Sequence, residues 1–95
     1  MRIEWDPTKD EANQAKHGID FETAQRVFDD PYHVVFVERV VGGEVRWHAI
    51  GVVEALVVLV VVHTHREDAS GEVVRIVSAR RASRRERKLY AEAIG

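Results

Sequence analysis

The chain has no cysteine, which excludes disulfides and thiolate metal sites and fits a reducing compartment. Long hydrophobic runs are also missing. The longest, Ala55 to Val62, is too short to span a bilayer and reads as one buried strand. The first residues, Met1-Arg2-Ile3-Glu4-Trp5-Asp6, lack the apolar stretch of a secretory signal, so a cytoplasmic protein is expected. Repeats, low-complexity tracts and linkers are absent as well. Residues 1–95 therefore read as one domain with one core, and 45% hydrophobic with 32% charged residues suits an ordinary globular chain.

Net charge is small, at −2, but its distribution is uneven. From Arg80 to Lys88 stand five arginines and one lysine against a single acid, Glu86, whereas Met1 to Asp30 carries four cations against eight acids. Clustered guanidinium groups match phosphate oxygens with a planar fork of donors, which makes a polyanion the first partner to consider. A solvated charged face is the rival reading.

Turn and cap chemistry divides the chain. Asp6 and Pro7 suit the N-cap and first position of a helix that runs to about His17 and stops at Gly18. Asp20 caps a second helix with Phe21, Ala24, Val27 and Phe28 at helical spacing, closed by Asp29-Asp30-Pro31. Ile3 and Trp5 allow only a short extended start. From His33 onward, Val34–Arg39, Val45–Gly51, Ala55–His65 and Val73–Ala79 are rich in β-branched residues. Gly42-Gly43 and Asp68-Ala69-Ser70-Gly71 mark hairpins between them. Short links favour an antiparallel meander, with Leu56 to Val62 as its central strand. Ser83-Arg84-Arg85-Glu86 fits a capping box, opening a last helix with Leu89, Tyr90, Ala93 and Ile94 as its apolar stripe. The expected fold is α+β: two N-terminal helices, a four-stranded antiparallel sheet and a C-terminal helix.

Several segments in this order resemble the BrnT family of toxins from type II toxin–antitoxin pairs. They are Trp5-Asp6-Pro7, Lys16-His17-Gly18 followed by Phe21 and Ala24, Val27-Phe28-Asp29-Asp30-Pro31, and Glu44-x-Arg46. Ile50-Gly51, Val60-Val61-Val62-His63-Thr64 with Arg66, and Arg75-Ile76-Val77-Ser78-Ala79-Arg80 leading to Glu86-Arg87 and Tyr90 complete the set. The likeness spans nearly the whole chain. It implies a RelE-like fold, an endoribonuclease that suppresses translation, and a BrnA-type antitoxin that neutralises it in a hetero-oligomer. It also implies that the pair can repress its own promoter; the chain shows no convincing helix-turn-helix, so promoter DNA is expected to be met only through the antitoxin complex.

RNA cleavage without a metal needs a base for the 2′-hydroxyl proton, cations for the crowded phosphorane and an acid for the leaving 5′-oxygen. Arg80, at a strand end, and Arg66, just past the central strand, are expected to meet at one end of the sheet and stabilise the transition state. Either could instead pair with an acid such as Glu67 or Glu86. Histidine is the usual acid–base side chain, so His17 is a candidate acid or base, although Lys16 and His17 also complement the helix dipole. His63 is a second acid–base candidate and equally a core residue. Its spacing from His65 lacks the further ligands a metal requires, so no metal or cofactor is expected. His33 and His48 read as surface residues. Glu86 caps its helix, and could also orient Arg80 or act as a base. Lys16, Arg81, Arg84 and Arg85 are candidate phosphate contacts, with Arg87 and Lys88 beside them, and Tyr90 either packs or stacks on a base.

Two classes of function follow. One is a metal-independent endoribonuclease; the other is a non-catalytic module that binds nucleic acid or protein. RNA product in the presence of EDTA separates them.

Overall fold

The computed structural model describes residues 1–95. It contains a five-stranded mixed sheet in the order β1-β5-β4-β3-β2, where four antiparallel strands were expected. The elements are β1 (Arg2–Trp5), α1 (Pro7–His17), α2 (Phe21–Ala24), β2 (Val34–Val41), β3 (Glu44–Glu54), β4 (Val57–Asp68), β5 (Gly71–Arg81) and α3 (Arg84–Ile94). The added strand is β1, which pairs in parallel with Val73–Ile76 of β5. No short link joins these strands; about two-thirds of the chain lies between them, so turn signals could not announce the pairing. The second helix is also shorter than expected. It makes one α turn and then tightens into a 3-10 turn over Gln25–Asp29. This winding buries Val27 against β3 at Gly51, where an added Cβ would stand 2.9 Å from Val27 Cγ1.

Strand β4 is central, as its apolar run suggested, and its alternation feeds two cores. Leu59 and Val61 join Phe21, Ala24, Val27, Ala49, Ile76 and Ala79 on the face covered by α1 and α2. Ile50 and Val60 pack with Ala82 and Tyr90 on the α3 face. Burying both faces explains the absence of polar alternation along Val57–Val62. Leu56, expected inside that strand, instead forms the β3–β4 turn with φ of 66° and is 92% exposed. A hairpin needs a reversal there, and no glycine marks it.

The helix ends follow local chemistry. Asp6 Oδ1 accepts from the N–H of Thr8 at 2.9 Å, and Gly18 takes the left-handed conformation while donating to the Gln14 carbonyl at 2.8 Å. At α3, Ser83 and Glu86 form both halves of the capping box. Tyr90 donates its hydroxyl to Asp30, whose carboxylate also accepts from the Val52 N–H at 2.9 Å. Thus α3 is tied to the loop after the 3-10 turn and to β3.

The open part of β5 has its own partner. β1 stops opposite Ile76, Val77 is the extra residue of a bulge, and β5 then runs on beside α1. There the buried Asn13 amide acts as a one-residue strand: it accepts from the Ala79 N–H at 3.0 Å and donates to the Ala79 carbonyl at 2.8 Å. It also donates to the Ile19 carbonyl at 2.8 Å. No helix is long and apolar enough to cross a membrane.

His63 belongs to this interior. It is fully buried with its ring edge-on to Phe28, centroids 5.0 Å apart. Burial lowers its pKa from 6.5 to about 4, so it rests neutral and out of reach of any substrate.

Two predictions follow from the packing. Asn13→Ala removes partners from both buried polar groups of Ala79, at ~1–3 kcal/mol each. Chemical denaturation should show a loss of about 2–4 kcal/mol, and an unchanged midpoint would refute the edge-capping role. As for pH, the unfolded chain protonates His63 below about pH 6.5, whereas the folded chain holds it neutral down to about pH 4. The unfolded state then binds more protons, so stability falls as pH drops through that window, by up to about 3 kcal/mol from this group. The melting temperature of His63→Phe should decline less steeply between those pH values than that of the unaltered protein.

Candidate active site

Arg80 is the penultimate residue of β5, on the α3 face and opposite Val60 of β4. Its guanidinium forms a two-point pair with Glu86, with Nη1–Oε1 at 2.6 Å and Nη2–Oε2 at 2.8 Å. The same carboxylate accepts the N–H of Ser83 at 2.8 Å to complete the capping box. These bonds, above all those from Arg80, hold the Glu86 carboxyl down to about 2. Glu86 thus stays ionised and is a poor base; its geometry orients Arg80. The pairing in turn raises the Arg80 pKa and leaves the guanidinium charged.

Arg80 also lines two hollows. One, of about 500 Å3, lies between α1 and β5 and is bordered by Lys9, Lys16, His17, Ser78 and Arg80. The other, of about 520 Å3, lies between the sheet and α3 and is bordered by Phe36, His48, Arg80, Arg85, Glu86 and Leu89. Their rims gather three helical cations and two imidazoles around one fixed guanidinium. Such a surface suits a chain of phosphates crossing Arg80 from one hollow to the other.

The expected convergence of Arg66 with Arg80 does not occur. Arg66 pairs with Val73, whereas Arg80 pairs with Val60. Six positions along β4 separate the two rows, roughly 20 Å at about 3.3 Å per residue. Both project on one face but at opposite ends of the sheet. Arg66 is held instead by Glu4 at 2.7 Å, in an exposed cluster with Arg2 and Arg75.

The other candidates divide in a similar way. Lys16 and His17 stand in the α1 hollow, and Arg85 in the α3 hollow. Arg81 turns to the opposite face, beside Gly18, Asp20 and Thr23. Arg84 and Lys88 are exposed, and Arg87 reaches back to the Ala82 carbonyl at 3.4 Å. Tyr90 is buried; burial and its bond to Asp30 push its hydroxyl up to about 12. It braces α3 and has no free ring face for a base.

Four contributors escaped the sequence reading: Lys9, Phe36, His48 and Ser78. Neither His48 nor His33 is the surface residue expected, since both are half-buried. His33 Nδ1 lies 2.7 Å from the Asp30 carbonyl. Lys9 was visible in retrospect, because it precedes Lys16 by about two helical turns and shares its face. Finding His48 required the register that sets β3 beside β4 and β4 beside β5.

A family profile described as a ribonuclease toxin, BrnT, of type II toxin–antitoxin systems matches residues 5–86. No curated protein matches the chain. The crystal structure of the Brucella abortus ribonuclease toxin BrnT resembles it with a TM-score of 0.66 and 29% sequence identity, over 88% of this chain and 99% of that one. Membership of a type II toxin family implies an RNA target and an antitoxin partner. The matched segment carries α1, strands β2 to β5 and the Arg80–Glu86 pair; this chain belongs to the BrnT family of ribonuclease toxins.

Proposed function

We propose that this protein is a metal-independent endoribonuclease that cuts RNA by attack of a 2′-hydroxyl and so suppresses translation. The observation that carries this reading is Arg80, held in a fixed plane by Glu86 and open to two cation-rimmed hollows. A preoriented guanidinium stabilises the extra charge of a phosphorane without reorganising during the reaction. Lys9, Lys16 and Arg85 grip the flanking phosphates, and His17, across the α1 hollow, protonates the leaving 5′-oxygen. Lys9, Lys16, Arg80 and Arg85 in this arrangement repel a divalent ion, which favours chemistry by side chains alone.

A BrnA-type antitoxin neutralises the enzyme in a hetero-oligomer by covering the Arg80 hollows. Promoter DNA is contacted through the antitoxin part of that complex. An acidic or aromatic antitoxin segment suits the basic rims, while the acidic N-terminal region is suited to a basic one.

Purified protein incubated with RNA in EDTA should yield fragments ending in 2′,3′-cyclic phosphate and starting with 5′-hydroxyl. Removal of the oriented cation in Arg80→Ala should lower kcat on the order of 10²–10³-fold. Arg66→Ala should leave cleavage near the wild-type rate, since an exposed ion pair at the far end of the sheet contributes little. RNA bound by folded protein with no product at any enzyme concentration would leave only the non-catalytic binding module.

A further inference from the structure

His48 packs edge-on against Phe36. Its side chain stands on β3 in the α3 hollow, in no ion pair, and its Nδ1 is buried without a hydrogen-bond partner. Nε2 is the ring nitrogen left to face the hollow. The hollow around it is chemically two-sided. Phe36, 38% exposed, lies edge-on to the imidazole with centroids 5.4 Å apart, and Leu89 is 43% exposed across from it. Arg80 and Arg85 form the other side. An apolar wall beside guanidinium groups matches a nucleotide, with the base on the wall and the phosphate on the cations. A volume of about 520 Å3 lies within the range of small-ligand sites, ~300–1,000 Å3.

We propose that the α3 hollow seats the nucleotide whose 2′-hydroxyl attacks, with its base against Phe36 and Leu89, and that His48 Nε2 is the general base. This assignment rests on the ribonuclease reading and gives it a proton acceptor. The 2′-hydroxyl proton passes to Nε2 as the 2′-oxygen bonds to phosphorus. The bond from phosphorus to the 5′-oxygen breaks with its electron pair, and the leaving oxygen takes a proton from His17. The products are a 2′,3′-cyclic phosphate, a 5′-hydroxyl and an imidazolium that returns its proton to solvent.

The surroundings keep the imidazole ready for this step. Burial lowers its pKa first of all; Arg80 from β5 and Arg39 from β2 add to that, against Glu38 from β2 and Glu86 from α3. Arg85 from α3 borders the same hollow. For Nε2 to accept a proton, the neutral ring carries its hydrogen on Nδ1, which leaves that buried donor without an acceptor.

Single-turnover cleavage of RNA in EDTA tests the assignment. His48→Ala should lose on the order of 10²-fold or more in rate with KM little changed, and added imidazole should restore part of it. Phe36→Ala should raise KM while retaining kcat, because it removes a wall and no proton acceptor. His48→Ala cutting at nearly the wild-type rate would overturn the assignment and leave the ribonuclease reading intact. So would a loss that imidazole does not repair in His48→Ala, if His48→Gln shows the same loss and both variants melt at lower temperature. Wild-type protein that binds RNA without cutting it would overturn both.

Discussion

The pair between Arg80 and Glu86 does two jobs with one carboxylate. Glu86 takes two guanidinium N–H groups and also closes the cap of α3. The last strand and the last helix are therefore locked at the point where the chain passes between them. Charge-assisted, two-point geometry makes this junction directional as well as attractive. It also explains why the arginine-rich segment is more than a solvated face. One of its cations is fixed by an acid within the same segment, and others stand around that fixed point.

Orienting Arg80 would be of little use without a stable edge beneath it. β1 covers β5 only as far as Ile76, and the bulge at Val77 redirects the strand before Ala79. The Asn13 amide then satisfies the exposed ladder groups and brings α1 alongside. A hollow is left where Lys9, Lys16 and His17 face the strand end. The bulge thus links sheet packing to site geometry, a use to which such irregularities are often put. On the opposite face, Tyr90 and Asp30 hold α3 against β3, keeping Arg85 and Leu89 at the second hollow.

Charge is used differently at the two ends of the sheet. Near Asp68, cations and acids neutralise one another: Arg2 pairs with Asp68, and Arg66 with Glu4. Around Arg80 only Glu86 is closely paired, and the neighbouring cations project into open space. That asymmetry separates a stabilising ion-pair cluster from a surface able to receive an anion, although both contain arginine on a strand. Counting arginines could not distinguish them. The partner and the register did.

Local chemistry was legible in the sequence wherever its cause lay within a few residues. The caps at Asp6, Gly18 and Ser83, the glycine hairpin at Gly42-Gly43 and the buried character of Val57–Val62 all follow from short-range hydrogen bonding, backbone freedom and apolar content. Non-local pairing was not legible. The parallel β1–β5 contact, the meeting of Asn13 with Ala79, and the separation of Arg66 from Arg80 depend on register between distant segments. For a strand, a few residues of register decide which end a side chain occupies. The sequence by itself determined the caps of the first and last helices, the buried central strand and the arginine-rich carrier of charge. Only the tertiary structure decided which arginine is presented and that His48, on another strand, shares its hollow, because long-range strand pairing chooses neighbours that no local spacing encodes.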